Sequence, residues 1–329
     1  MKGILNRYHI GYLRGERKLK KYNLYLVLLL GIIILTACGA DQNKAPDKEE
    51  GKFMVYTTVF PLTDFTSKIG GESVSVQSVY PPGSDAHTFE PTPRDMTDIA
   101  SADAFIYTGV GVEGFVANAQ KTLKDEKVEL IEAGEGIEFL STEDHHHEDE
   151  EEHHHGDIDP HIWLDPLHSI QLAENIKNAL IQLNPAEKHT YEENFNELKD
   201  QLEVLHNDFI DVTSSAKRKE ILVAHSAYGY WETRYGLEQI SITGLSPNNE
   251  PSQKELKNII DTTKKHGLNY ILFEQNISSK IAKTVQSETG TESLNLHNLE
   301  AITKQEAEKN EDYFSLMYQN LETLKKALN

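Results

Sequence analysis

The segment NPAEKHTYEENFNELKDQLEVLHNDFIDVTSS, residues 184–215, decides the architecture that the sequence predicts. Asn184 can cap a helix, and Pro185 suits its first turn. Apolar residues then recur at every third or fourth position, the spacing of one buried helical face: Tyr191, Phe195, Leu198, Leu202, Leu205 and Phe209. The pattern predicts one helix of about 30 residues, roughly 45 Å long. A helix of this length can join two lobes rigidly.

Short β-rich runs alternate with helical runs on both sides of this segment, which is typical of an α/β fold with parallel sheets. The predicted strands cover residues 52–59, 73–80, 103–109, 127–133, 220–225, 238–245, 268–274 and 291–296. A chain of 329 residues has the length of about two domains. We therefore predict two (β/α) lobes, residues 52–183 and 217–329, joined by a single long helix over residues 184–216.

Residues 134–158 interrupt the alternation with a polar stretch of low complexity, which predicts a mobile loop in the first lobe. Six histidines are clustered in it among Asp and Glu: His145, His146, His147, His153, His154 and His155. Free imidazoles in such a loop are a candidate accessory metal site that raises the local concentration of the ion. The alternative is a solvated run that binds metal only incidentally.

The first 37 residues have the pattern of a signal peptide. A basic region precedes the apolar run LYLVLLLGIIILTA, residues 24–37, which is shorter than the roughly 20 residues of a membrane span. The following LTACG, residues 35–39, resembles the lipobox of bacterial lipoproteins, which implies lipid attachment to Cys38 and anchoring on the outer face of the cell membrane. Residues 38–51 then read as a flexible tether. An uncleaved anchor helix is the alternative.

The formal net charge of −21 argues against a nucleic-acid partner, because such partners require a basic surface. A strongly acidic surface instead attracts cations.

Metal-competent side chains follow several of the predicted strands. In open parallel sheets, ligands bind beyond the carboxyl ends of the strands. His87, His225 and Glu274 lie just past strands, and His161 lies where the polar loop ends. Three imidazoles and one carboxylate match a four-coordinate zinc site, and imidazole favours zinc over Ca²⁺, Mg²⁺ or Mn²⁺. Each residue taken alone also fits a hydrogen-bonded structural role, and His297 competes with Glu274 for the fourth position.

Four motifs carry a family resemblance: YPPGSDAHTFEPTP (80–93), DPHIWLDP (159–166), VAHSAYGYWETRYGL (223–237) and NYILFEQNISSKIAKTV (269–285). In this order they resemble the zinc-specific solute-binding lipoproteins of bacterial ABC metal importers, the cluster A-I branch. The resemblance covers nearly all of residues 52–329. It implies two lobes that grip a metal ion between them.

The resemblance also implies the ligand set. The family's ligand positions fall on His87, His161 and His225, with Glu274 at the fourth, where some members use water or a loop histidine instead. Manganese-specific relatives usually carry Glu where this chain has His225, so His225 favours zinc.

The implied function is capture of Zn²⁺ and its delivery to the permease of an ABC importer by a monomer, without catalysis. A manganese- or iron-binding lipoprotein, or a metal-dependent adhesin, is the alternative. A lipid-anchored zinc hydrolase fits less well, because it requires an open coordination position beside a general base.

Overall fold

The computed structural model describes residues 51–109, 111–141, 158–275 and 280–329. The predicted signal peptide, Cys38, most of the tether and the six clustered histidines lie outside these ranges. The described residues belong to one compact unit. None of the helices in this part of the chain combines the length and the apolar character that crossing a bilayer requires.

Two parallel four-stranded sheets form the framework. The first contains β1 (Phe53–Thr57), β2 (Val74–Ser78), β3 (Ala104–Tyr107) and β4 (Glu129–Glu132) in the order β2-β1-β3-β4. The second contains β5 (Glu220–Val223), β6 (Glu238–Ser241), β7 (Tyr270–Phe273) and β8 (Glu292–Asn295) in the order β6-β5-β7-β8. The two orders are equivalent, so the predicted fold class, two parallel (β/α) lobes, is confirmed.

Helices connect and cover the strands: α1 (Phe60–Gly70), α2 (Pro93–Ala100), α3 (Val116–Leu123), α4 (Pro166–Leu183), α5 (Lys188–Ser214), α6 (Gly229–Tyr235), α7 (Gln253–His266), α8 (Lys280–Thr289), α9 (Lys304–Glu308) and α10 (Tyr313–Ala327). The starts of α2, α7, α9 and α10 are fixed by capping boxes, in which the cap side chain and the third helical residue bond each other's backbone. The short helix α9 was not predicted from the sequence.

The long helix α5 has 27 residues, about 40 Å at 1.5 Å per residue. It begins at Lys188 rather than near Asn184 because Pro185–Glu187 form a separate 3₁₀ turn. All six apolar residues that predicted the helix are buried. They pack α5 against α1, α4 and α10, and the Tyr191 hydroxyl hydrogen-bonds that of Ser73 at 2.7 Å.

Successive side chains of strand β5 alternate between two apolar clusters in the second lobe. Ile221 and Val223 face the large core that continues into the first lobe, whereas Leu222 and Ala224 face a smaller cluster. Successive side chains of a strand point to opposite faces, so both faces of this sheet are covered.

Two buried tryptophans connect the lobes. The indole N–H of Trp231, on α6, donates to the carbonyl of Leu164 at 2.7 Å. The indole N–H of Trp163, in the 3₁₀ turn Ile162–Leu164, donates to the carbonyl of Asn298 at 2.7 Å. These bonds fix the position of the segment that carries His161 against the second lobe.

Candidate metal centre

Four side chains converge between the two sheets: His87, His161, His225 and Glu300. One potential ligand atom from each lies within 4.8 Å of all the others. His161, His225 and Glu300 are buried, and the His87 side chain is only 9% exposed. Three imidazole nitrogens and one carboxylate oxygen are a ligand set for a tetrahedral metal such as zinc.

His87 lies in the loop between β2 and α2. The carboxylate of Asp85 accepts hydrogen bonds from the His87 backbone N–H at 2.9 Å and from the Thr88 hydroxyl at 3.0 Å. Such a local turn is a common use of aspartate and fixes the backbone on both sides. It directs Nε2 of His87 to within 3.1 Å of Oε1 of Glu300.

His161 directly precedes the 3₁₀ turn Ile162–Leu164. Oδ1 of Asp159 accepts both the His161 backbone N–H, at 3.0 Å, and its ring Nδ1–H, at 2.8 Å. This leaves Nε2 as the nitrogen that faces the cluster. Nε2 is buried, lies 3.4 Å from Oε1 of Glu300, and has no hydrogen-bond partner among the described residues. A buried nitrogen without a partner is costly, so this atom fits a metal ligand.

His225 comes two residues after β5. Its Nδ1 lies 2.6 Å from Oε1 of Glu274, and both side chains are buried. Its Nε2 lies 3.2 Å from the carbonyl oxygen of Leu245. Because a carboxylate occupies the Nδ1 side, Nε2 is the nitrogen available to a metal, and metal binding has to replace the contact with Leu245.

The fourth ligand position differs from the sequence-based expectation. Glu300, five residues beyond β8, belongs to the cluster, and Glu274 does not. Glu274 follows β7 directly. Its Oε1 contacts Nδ1 of His225, on the opposite side of the ring from Nε2. Its other oxygen, Oε2, is buried without a hydrogen-bond partner in the described part of the chain. This contact is of the kind by which a carboxylate orients an imidazole ligand.

The electrostatics of the cluster follow from these contacts. Burial alone would lower the pKa of His161, but the hydrogen bond to Asp159 and the neighbouring Glu300 carboxylate outweigh it and raise the pKa to about 9. Burial alone would raise the pKa of Glu300. The nearby imidazoles of His161, His87 and His225 outweigh it and hold the pKa well below the ordinary range of a carboxyl group.

The other described histidines lie outside this cluster. His297 is buried, and its Nδ1 accepts the backbone N–H of Leu299 at 2.8 Å. His189 on α5 is exposed and pairs with Glu193. The six clustered histidines of residues 143–156 lie outside the described residues, so their role stays a prediction. Glu300 has the same sequence signal as Glu274, a carboxylate after a strand, but at a greater distance from the strand end.

Two parallel α/β lobes, one long helix and a buried His₃Glu cluster between the sheets define a two-lobed metal-binding protein of the solute-binding class. The family model for the zinc-uptake complex component A, periplasmic (ZnuA), matches residues 55–327. The chain belongs to this family, and the resemblance inferred from the four motifs is confirmed.

Individual relatives agree with this membership. The zinc-binding protein AdcA of Streptococcus pyogenes serotype M18 is 38% identical over 288 residues, covering 84% of this chain and 56% of AdcA. The chain thus spans about half the length of this relative. The high-affinity zinc uptake system protein ZnuA of Bacillus subtilis is 36% identical over 313 residues, covering 94% of this chain and 98% of that protein.

Solved structures show the same fold. The Zn(II)-bound ZnuA-like domain of Streptococcus pneumoniae AdcA superposes with a TM-score of 0.72 at 32% identity, covering 84% of this chain and 99% of the domain. The laminin-binding protein Lmb of Streptococcus agalactiae, described as bifunctional with adhesin and metal transporting activity, gives a TM-score of 0.74 at 28% identity, covering 84% and 100%.

Proposed function

We propose that this protein captures Zn²⁺ outside the cytoplasm and delivers it to the permease of an ABC importer. The observation that carries the proposal is the convergence of His87, His161, His225 and Glu300, whose ligand atoms lie within 4.8 Å of one another. Imidazole-rich coordination of this kind favours zinc over the oxygen-preferring ions. The Bacillus relative, 98% of which is covered by this chain, carries the name of a high-affinity zinc uptake protein.

Capture depends on orienting and neutralising groups around the four ligands. Asp159 and Glu274 accept Nδ1–H of His161 and His225, which fixes the tautomer that presents Nε2. Together with Glu300 they supply three carboxylates, which offset the charge of a divalent ion. Four protein ligands leave no obvious open position for a reactive water, so the proposed role is binding rather than catalysis.

The location of the protein is part of the proposal. Residues 1–37 act as a signal peptide, and lipidation of Cys38 anchors the protein, as a monomer, to the outer face of the cell membrane. A Streptococcus pneumoniae relative is named a zinc-binding lipoprotein, and this chain covers 61% of its length. Labelling with a palmitate analogue tests the anchor: wild-type protein incorporates label and Cys38→Ala does not. Labelling of the variant would contradict the assignment.

The central test is metal analysis and competitive Zn²⁺/Mn²⁺ titration of the protein without residues 1–38. We expect one tightly bound zinc that excess manganese does not displace. His225→Ala should weaken zinc binding sharply. His189→Ala, which removes an imidazole that is 85% exposed, is the matched control and should bind like wild type. Tight binding of manganese, or near-unchanged zinc affinity of His225→Ala, would refute the proposal.

A second candidate function is adhesion, which the likeness to Lmb favours. A solid-phase assay with immobilised laminin tests it, with and without zinc. Saturable binding that requires zinc would support adhesion as an additional role, and the absence of binding would leave zinc capture alone.

A further inference from the structure

The segment that carries Glu300 contains an unusual backbone conformation. Leu299 has φ +59°, in the left-handed region that residues other than glycine and asparagine rarely adopt. Asn310 is the other non-glycine residue with positive φ in the described ranges, and asparagine tolerates this conformation. Leu299 is fully buried and immediately precedes Glu300. A strained residue beside a functional group persists only when its surroundings enforce it.

Two successive side-chain–backbone hydrogen bonds surround this residue. The backbone N–H of Leu299 donates to Nδ1 of His297 at 2.8 Å, and that of Glu300 donates to Oδ1 of Asn298 at 3.2 Å. A ring nitrogen that accepts from a backbone N–H carries no proton. The proton of His297 therefore lies on Nε2, which faces Oε2 of Glu306 at 3.4 Å.

The backbone of His297 is itself held at both of its polar groups. Its N–H donates to Oδ1 of Asn320 at 2.7 Å, and its carbonyl accepts Nδ2–H of Asn320 at 2.8 Å. His297 and Asn320 are both buried, so no water competes for these bonds. The imidazole is thus a fixed acceptor for the N–H of Leu299.

The first lobe holds the other side of the segment. The carbonyl of Glu300 accepts the backbone N–H of Phe60, at the start of α1, at 2.9 Å. The carbonyl of Asn298 accepts the indole N–H of Trp163. Because the backbone is held on both sides of Leu299, the φ angle of this residue sets the direction of the Glu300 side chain.

We propose that His297 is a positioning residue for Glu300. By accepting the N–H of Leu299 it holds the left-handed turn that directs the Glu300 carboxylate to within 3.1 Å of His87 Nε2 and 3.4 Å of His161 Nε2. Without this acceptor, Leu299 relaxes towards negative φ, and the carboxylate moves away from the two imidazoles. The inference rests on the proposed role of Glu300 as a zinc ligand.

Zinc titrations of full-chain variants against a chromophoric chelator test the role. His297→Ala should lower zinc affinity about 10- to 100-fold, the usual effect of losing a group that orients a ligand. His297→Asn should retain wild-type affinity, because an asparagine side chain accepts the N–H two residues ahead. Asn298→Ala tests the same turn at a second residue. It removes the parallel bond to the N–H of Glu300 and should also weaken zinc binding.

A double-mutant cycle separates positioning from general damage to the fold. In the Glu300→Ala background, His297→Ala should cause no further loss of zinc affinity, because the group that it positions is absent. His206→Ala is the matched control: it loses a comparable ring hydrogen bond, 3.1 Å to the Tyr235 hydroxyl, and should leave zinc affinity unchanged.

Each other outcome has a distinct meaning. If Glu300→Ala binds zinc like wild type, Glu300 is not a ligand and the inference fails with that assignment. If Glu300→Ala is weakened but His297→Ala is not, the ligand assignment stands and the positioning role is overturned. An equal loss from His297→Ala in both backgrounds, or a loss of affinity in His297→Asn, also overturns it.

Discussion

Replacing Glu274 by glutamine tests whether this carboxylate binds metal or only orients His225. Oε1 of Glu274 lies 2.6 Å from Nδ1 of His225. With the imidazole ring and a Zn–N bond of about 2.0 Å between them, a zinc ion on Nε2 would lie roughly 6–7 Å from that oxygen. A charge of −1 and a charge of +2 at this separation interact by about 5 kcal/mol at an effective dielectric constant of about 20. This is an upper bound on the net loss, because Glu274→Gln also removes the cost of keeping a charged carboxylate buried.

The expected loss for Glu274→Gln is therefore about 10- to 100-fold in zinc affinity, or roughly 1.4–2.8 kcal/mol. The assay is competition with a chromophoric chelator at pH 7.5, and X-ray absorption of the zinc-loaded protein reports the coordination. Three nitrogens and one oxygen should remain in Glu274→Gln, whereas Glu300→Ala should lose the carboxylate oxygen. Glu193→Gln, at a side chain that is 64% exposed, is the matched control. The reasoning is refuted if Glu274→Gln binds like wild type, or if it loses the coordinating oxygen while Glu300→Ala keeps it.

Four further outcomes are expected. The affinity for zinc should keep rising with pH up to about 9, because a proton with a raised pKa of about 9 on His161 must leave before zinc binds; a plateau above pH 6.5 in chelator competition would contradict this. By the same linkage, the charged form of His161 stabilises the metal-free protein. This contribution is fully present below pH 6.5, the ordinary histidine value, and is lost as pH rises through 9. Urea unfolding at several pH values measures it. Zinc at about 100 times its Kd should stabilise the folded protein by about 2.7 kcal/mol, and absence of a shift in Tm would show that it does not bind the native state. Deleting residues 143–156 should leave one tight zinc per chain in metal analysis; loss of that zinc would show that the clustered histidines form the main site.

Local patterns in the chain were sufficient to predict the framework. The spacing of Tyr191, Phe195 and the apolar residues after them predicts α5, because one helical face must be buried whatever it packs against. The eight predicted strands all occur, because β-rich runs that alternate with helical runs are typical of parallel α/β sheets. Helix α5 begins later than the sequence predicts, because Pro185 fits a 3₁₀ turn as well as a first helical turn.

The residues of the metal cluster were likewise only partly predictable from the sequence. The sequence by itself indicated His87, His161 and His225, because their residue type and their positions at strand ends or beside the polar loop are visible along the chain. Only the tertiary structure places Glu300, and not Glu274, in the cluster with the three imidazoles. Both carboxylates follow parallel strands, and sequence spacing does not show which one turns towards the imidazoles. That direction depends on the left-handed backbone of Leu299, on its hydrogen bond to His297, and on contacts with the other lobe, all of which exist only in the folded chain.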